Sequence, residues 1–444
     1  MAWFNKICIP LVVVIIFISA KNIQWSGDQW ESIVKSDGKG YYAFLPAIFV
    51  YNDLNFSFFD TVEKNHPNPA IFYDYRVECY GKTTNKYFVG TAVAMSPFFL
   101  IAHFASSILG LENDGYSKLY LIMISISAIF YLWLGLFFLK KLLSCYTQNL
   151  TLVSLSLIII VFSTNLFYYS VCEPSMSHIY SFTFITAFLY FSKKYFEKPQ
   201  LKSTLILSFL LGMIILIRPV NAIVVFALPF IAGDWNVFKN GMNYLYRRYS
   251  LLLLSTAIIF LIISIQFLIY KIQTGHFFVD TYGNEAFNWL SPHPFDFLFS
   301  YKKGLFVYTP VLLLSLFGLI VLFKMNRYEF YTVILFLSIL VYVLSSWWSW
   351  WYGGSFGTRV MLEYYSVFVL LLVVLMERID KSKLKFVFYS ILLIAVVVSQ
   401  IQTYQYRYYH IHWEKMDKQH YWNSFLRIDL LTKNINPNKD LLNE

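Results

Sequence analysis

A single carboxylate, Asp37, stands in Ser36-Asp37-Gly38-Lys39-Gly40-Tyr41-Tyr42, soon after the first long apolar run of the chain. Acids are scarce, with 25 Asp and Glu against 35 Lys and Arg in 444 residues. A carboxylate at such a place can serve as the base that takes a proton from an acceptor hydroxyl, as carboxylates do in glycosyl transfer. Other polar groups fall in short segments between apolar runs. Glu173 and His178 lie in Cys172-Glu173-Pro174-Ser175-Met176-Ser177-His178, and Arg218 and Asn221 in Arg218-Pro219-Val220-Asn221. Arg359 closes Trp347-Trp348-Ser349-Trp350-Trp351-Tyr352-Gly353-Gly354-Ser355-Phe356-Gly357-Thr358-Arg359. Lys86, Lys302 and Lys303 add cations at the starts of apolar runs. A guanidinium matches phosphate oxygens bidentately, so Arg218 and Arg359 suit a lipid phosphate at headgroup depth. Tyr41 and Trp351 offer aromatic faces to a sugar ring or to the interface.

Each residue also has a plainer reading. Asp37 between small residues can be a turn residue. Glu173 can cap the helix that follows it, and His178 can satisfy a neighbouring helix. Arg218 can snorkel to the interface, although arginine near membrane depth is costly and marks function by default. The tryptophan run can be an aromatic belt.

The elements that must position these groups are membrane helices. The chain is 58% hydrophobic and only 14% charged, against roughly 25% charged in soluble domains. Unbroken apolar runs of about 20 residues exclude a β-barrel and indicate an all-α polytopic membrane protein. Cys8, Cys79, Cys145 and Cys172 show no metal-ligand spacing, and no glycine-rich phosphate loop is present. No cofactor is therefore expected, and no metal is signalled. The net charge of +10 follows loop orientation, not nucleic-acid binding, because Lys and Arg gather between apolar runs. The first run, from Ile7 to Ser19, reads as an uncleaved helix, since Ile18 sits where a signal peptide needs a small residue.

Five basic clusters, at Lys140-Lys141, Lys193–Lys202, Lys239–Arg248, Lys324–Arg327 and Arg378–Lys385, are expected on the cytoplasmic side. Helices are then expected at 7–24, 116–139, 150–170, 176–192, 203–217, 219–233, 250–271, 304–323, 329–347, 359–377 and 386–402, about eleven spans. This alternation puts residues 25–115 and a tail from 402 to 444 outside. Tyr41–Tyr51 and Tyr87–Leu109 become juxtamembrane or re-entrant helices of the first external loop, and Gly90 and Pro97 suit a broken helix there. All the chemical residues above share the outer face. Cys79 and Cys172 also lie outside, where a disulfide is allowed.

With these features in place, the chain resembles the GT-C fold glycosyltransferases, and more locally uncharacterised bacterial members of that class. The resemblance rests on Asp37-Gly38-Lys39-Gly40-Tyr41-Tyr42 with Leu45-Pro46-Ala47, and on Lys86-Tyr87-Phe88-Val89-Gly90-Thr91-Ala92 with Ser96-Pro97-Phe98-Phe99. It continues through Glu173-Pro174-Ser175-Met176-Ser177-His178, Leu216-Ile217-Arg218-Pro219-Val220-Asn221, Gly304-Leu305-Phe306-Val307-Tyr308-Thr309-Pro310 and Gly353-Gly354-Ser355-Phe356-Gly357-Thr358-Arg359, over most of residues 30–365. It implies one transmembrane domain over residues 1–401, in the bacterial cytoplasmic membrane, with an extracytoplasmic active site. It implies a polyprenyl-phosphate-linked sugar as donor, of the kind used by mannosyl- and aminoarabinose transferases. The acceptor is a glycan, lipid or protein, transfer inverts the anomeric carbon, and Asp37 is the base. Many relatives carry two adjacent acids in the first loop; here Ser36 precedes Asp37, a departure that bears on a divalent metal. Two other functions fit such a chain, a lipid-linked sugar flippase and a polysaccharide polymerase or ligase. The first calls for paired repeats and mid-membrane charges; the second relies on external Arg and His.

Overall fold

The computed structural model describes residues 2–68 and 71–429. Helix occupies each expected run, but 150–170 is broken once and 304–323 is divided into Leu305–Tyr308, Pro310–Leu316 and Gly318–Met325. Among the described residues, seven helices are long and apolar enough to cross a membrane: Trp3–Gln24, Gly90–Leu109, Lys118–Leu143, Tyr249–Thr274, Arg327–Ser345, Arg359–Ile379 and Lys385–Arg407. Shorter apolar helices occupy Leu150–Phe162, Leu201–Ile217, Pro219–Ala232 and Pro310–Met325. Tyr249–Thr274 turns Leu253, Phe260, Leu261, Leu268 and Ile272 outward. So much exposed hydrocarbon is stable only against lipid.

The chain divides into two compact units. The unit of residues 13–135 and 169–284 holds Asp37. Its core gathers Tyr42, Phe44, Phe56, Tyr75, Tyr87, Phe99 and Tyr120 around the Asp37–Phe49 and Gly90–Leu109 helices. Between these helices Arg76–Cys79 pairs antiparallel with Lys82–Asn85. The hairpin closes on Tyr80 (φ 55°) and Gly81 (φ 70°), the positive values that a tight two-residue turn requires.

Gly90–Leu109 differs from expectation. It is one continuous helix of 20 residues that contains Pro97. Gly90 serves close approach: a Cβ there would stand 2.3 Å from the Ile217 nitrogen and the Leu216 carbonyl carbon. The short span after Arg218 has a further device. Pro219–Ala227 is a nine-residue 3₁₀ helix followed by α-helix over Leu228–Ala232. Pro219 supplies a preset φ at its first position. At about 2.0 Å rise per 3₁₀ residue and about 1.5 Å per α residue, these stretches cover about 25 Å. That equals the reach of the 17-residue Leu201–Ile217 helix.

The other unit comprises residues 1–12, 136–168 and 285–444. Its centre is the Arg359–Ile379 helix, whose apolar window is 89% buried. Gly318 lets a neighbour cross it closely, since a Cβ would meet the Leu371 carbonyl oxygen at 2.2 Å. The run expected as one helix over 150–170 is interrupted at 163–165. The Ser163 and Thr164 hydroxyls donate to the carbonyls of Ile159 and Ile160 at 2.5 and 2.6 Å. Asn165 then donates to the Phe356 carbonyl and accepts from the Tyr365 hydroxyl. The last apolar helix continues to Arg407, six residues into the expected tail. Beyond it Lys418–Ser424 forms a short helix whose Tyr421 packs against Tyr301 and Tyr308. The rest of the tail, 430–444, lies outside the described residues. Cys79 and Cys172 are not joined, so the disulfide that the expected topology allowed is not formed.

Candidate active site

Asp37 is not in a flexible loop. It is the first residue of the Asp37–Phe49 helix, where a negative charge suits the helix dipole. The glycines beside it serve contact. A Cβ on Gly38 would fall 2.0 Å from Ser175 Oγ, and one on Gly40 would fall 2.2 Å from the Tyr87 ring. The helix start is thereby pressed between the Glu173–Ser177 segment on one side and Tyr87 on the other. Ser36, just before it, has φ 49°, a conformation that costs a non-glycine residue about 1–3 kcal/mol and is found mainly where function demands it.

Tyr87 donates its hydroxyl to Asp37 Oδ1 at 2.8 Å. Its own place is fixed through buried Asn85, which accepts from the Tyr87 amide at 2.9 Å and donates to the Gly40 carbonyl at 2.8 Å. Tyr41 packs on the Tyr87 ring with centroids 4.7 Å apart. The Tyr73 and Tyr87 hydroxyl oxygens are 2.5 Å apart.

Tyr282, in the loop after Tyr249–Thr274, shows which charges converge here. Burial pushes its hydroxyl well above the usual tyrosine range, as do Tyr41 and the Asp37 carboxylate, while the Arg218 guanidinium pulls the other way. The Lys86 ammonium stands 5.3 Å from the centre of the same ring. The Lys86 backbone is pinned by Tyr75 and by the Thr281 hydroxyl. Asp37, Tyr41 and Arg218 therefore act electrostatically on one tyrosine, and Lys86 stands over its ring.

Arg218 ends the Leu201–Ile217 helix and precedes the 3₁₀ segment. One of its guanidinium nitrogens lies 3.4 Å from His178 Nδ1. A guanidinium only donates, so Nδ1 is the acceptor and that contact requires a neutral imidazole carrying its proton on Nε2. His178 is buried against Tyr169. Asn221 donates to the Ser181 hydroxyl at 3.1 Å and ties the 3₁₀ start to the His178 helix. Glu173 is buried, with Lys35 at 3.7 Å. Lys39, two residues after Asp37, points to the opposite side of its helix. There it pairs with Glu63 and lines a separate cavity of about 40 Å³ with Trp30, His66, Tyr75 and Tyr116.

The remaining three candidates belong to the other unit. Lys303 is buried, donates to the Ser355 carbonyl and lies 5.4 Å from the Tyr406 ring centre. Arg359 opens a 3₁₀ turn, Arg359–Tyr364, which also carries the fully buried Glu363. One face of Trp351 is taken by the Lys302 ammonium at 3.6 Å from the ring centre. Among the described residues, no three His, Cys, Asp or Glu side chains gather to hold a metal ion.

Sequence reasoning missed Tyr73, Tyr87, Asn85 and Tyr282. Tyr87 stood inside the Lys86–Ala92 motif, beside a lysine out of place for the charge rule. That lysine was the available signal.

These features define an integral membrane protein built as an all-α polytopic bundle, with a carboxylate held at a helix start by a tyrosine and linked electrostatically to the same tyrosine ring as an arginine. No family model matches the chain, and no curated protein sequence does. Among solved structures, it is similar to the Archaeoglobus fulgidus oligosaccharyltransferase in the apo form, with a TM-score of 0.52 at 10% identity, over 99% of this chain and 62% of that one. It is also similar to the archaeal oligosaccharyltransferase AglB from Archaeoglobus fulgidus in complex with an inhibitory peptide and a dolichol-phosphate, with a TM-score of 0.46 at 11% identity, over 91% of this chain and 56% of that one. The chain thus spans about 56–62% of the length of these structures. The fold it shares with the first is the GT-C architecture.

Proposed function

We propose that this protein is a membrane glycosyltransferase that moves a sugar from a polyprenyl-phosphate donor to an acceptor hydroxyl or amide on the extracytoplasmic face, with inversion. The observation that carries this reading is Asp37 fixed at a helix start by the Tyr87 hydroxyl, with Lys86 over the ring of Tyr282, a tyrosine on which Asp37 and Arg218 both act electrostatically. The outward placement is supported by the basic clusters, which fall at the opposite ends of the same helices. The fold shared with an oligosaccharyltransferase supports sugar transfer at a membrane.

In this mechanism Asp37 accepts the proton of the acceptor group as its heteroatom attacks the anomeric carbon. The bond from that carbon to the phosphate oxygen breaks on the far side. Polyprenyl phosphate leaves with the electron pair, and its new negative charge is met by Arg218 and Lys86. A carboxylate fixed in place and a guanidinium on the leaving group divide the work between proton removal and charge stabilisation.

The test is Asp37→Asn in purified protein supplied with polyprenyl-phosphate-linked sugars. The variant is expected to insert and unfold like the parent, because asparagine can accept from Tyr87, yet to lose turnover by roughly a thousandfold, within the range for general base loss. Near-parental turnover removes Asp37 from the mechanism.

A further inference from the structure

The hydrogen-bond chain leading to Asp37 has a direction imposed by its donors. An ionised carboxylate only accepts, so Tyr87 spends its one proton on Asp37 Oδ1, at 2.8 Å. The Tyr87 oxygen must then accept in its contact with Tyr73, at 2.5 Å, and Tyr73 donates. Tyr87 is buried and Tyr73 half-buried, so the chain runs from a partly wetted hydroxyl through a dry one to the carboxylate. The anchoring is unusually complete. Asn85 holds the Tyr87 backbone to Gly40, and the absence of a Cβ on Gly40 is what lets the Tyr87 ring lie where it does.

We infer that Tyr87, backed by Tyr73, is a positioning residue that orients one oxygen of Asp37 and keeps the carboxylate ionised for proton abstraction. This rests on the proposed role of Asp37 as base. Burial, followed by the neighbouring Asp37 charge, holds the Tyr87 hydroxyl well above the usual tyrosine range, so it stays a donor at any working pH. The charged and titratable groups facing this site come from several elements. Tyr41 shares the helix of Asp37, and Lys86 and Tyr282 flank it. Arg218 and His178 lie at the ends of two further helices, and Glu173 with Lys35 on the Ser175 side. None of these is altered by removing a phenolic oxygen, so a change in pH response on that removal reports the tyrosine chain.

The experiment is the pH dependence of kcat for Tyr87→Phe and Tyr73→Phe in the full chain, with polyprenyl-phosphate-linked sugar as probe. Loss of a hydrogen bond to the anion favours its protonated form. The acid limb of the Tyr87→Phe profile should therefore move upward by about one pH unit, with kcat near neutral pH down roughly tenfold and donor KM unchanged. Tyr73→Phe should shift the limb the same way by less. It also decides the matter if Tyr87→Phe fails to insert, because Tyr73 bonds to the same Tyr87 hydroxyl that bonds to Asp37. Profiles that coincide with the parent in Tyr73→Phe and in any folded Tyr87→Phe overturn the inference. Asp37→Asn separates this from failure of the underlying reading: full activity there sinks the base itself, whereas an inactive Asp37→Asn with unshifted tyrosine variants sinks only the positioning role.

Discussion

Replacing Gly90 by alanine tests how closely the fold is drawn together beside the candidate site. The added methyl would stand 2.3 Å from the Ile217 nitrogen and the Leu216 carbonyl carbon, and 2.5 Å from the Leu216 oxygen. Ordinary carbon contacts begin near 3.5 Å, so the two elements must part by about 1.2 Å. Backbone lies on both sides, and no rotamer change can relieve the clash. Overpacking of this kind costs about 1–3 kcal/mol, reduced by up to about 1 kcal/mol from alanine's better helix propensity. A net loss of about 1–2 kcal/mol is expected in detergent unfolding. The effect on turnover should be larger. Tyr87 precedes Gly90 by three residues and Arg218 directly follows Ile217, so the displacement acts between the group that holds Asp37 and the proposed phosphate clamp. A misplacement of about 1 Å can cost about a hundredfold in rate. Gly110→Ala is the control. Gly110 has φ 63° and open space around its Cα, so alanine there should cost about 1–2 kcal/mol in backbone strain without moving the site. Equal turnover losses in the two variants, or parental stability and turnover in Gly90→Ala, would refute this reasoning.

Two further outcomes are expected. His66 and Asp114 face each other at 3.0 Å between the first and third long apolar helices. The Asp114 hydrogen bond raises the His66 pKa above 6.5, and although burial pushes the Asp114 carboxyl up, its bonds to His66 and to the Tyr116 and Ser117 amides bring it below 3.8. The His66 contribution is then complete below about pH 6.5 and fades as pH rises through the higher folded value, while Asp114 loses its contribution only in acid, below 3.8. Hydrogen exchange over residues 110–117 should show opening that becomes easier by about 1 kcal/mol between pH 6 and pH 8, and flat in His66→Asn; an unchanged slope in that variant would exclude the pair as the cause. Arg218→Ala should raise donor KM about tenfold or more, and Arg218→Lys should restore it only in part, because an ammonium cannot repeat a bidentate contact. Full recovery with lysine would argue for simple charge.

The helices were legible because hydrocarbon length and loop charge are both written directly in residue type. Their interruptions were not. Ser163 and Thr164 break a long apolar run through hydroxyls that compete for backbone carbonyls, a choice that depends on Asn165 finding Phe356 and Tyr365 far along the chain. Asp37 stood out by scarcity. Its setting did not, because Gly38 and Gly40 suggest flexibility to a reader of sequence, and only their neighbours Ser175 and Tyr87 reveal that they permit contact. The tyrosines escaped notice for a related reason. In a chain with 35 of them, an aromatic near a membrane surface carries no signal until its hydroxyl is seen to point at a charge. Arg218 was recognised by cost, but its electrostatic link with Asp37 is seen only at Tyr282, 64 residues further along.

The 3₁₀ segment after Arg218 bears on how this chain can change over evolutionary time. Side chains three apart eclipse one another in such a helix, and here Asn221, Val224 and Ala227 form one straight, fully buried row. Inserting or deleting a single residue would turn everything after it by about 120° and swing the row to the outside. A change of three residues would lengthen or shorten the segment by about 6 Å and leave the row facing inward. Length differences among relatives should therefore arrive here in threes, leaving a triplet rhythm in a part of the sequence where ordinary membrane helices impose none.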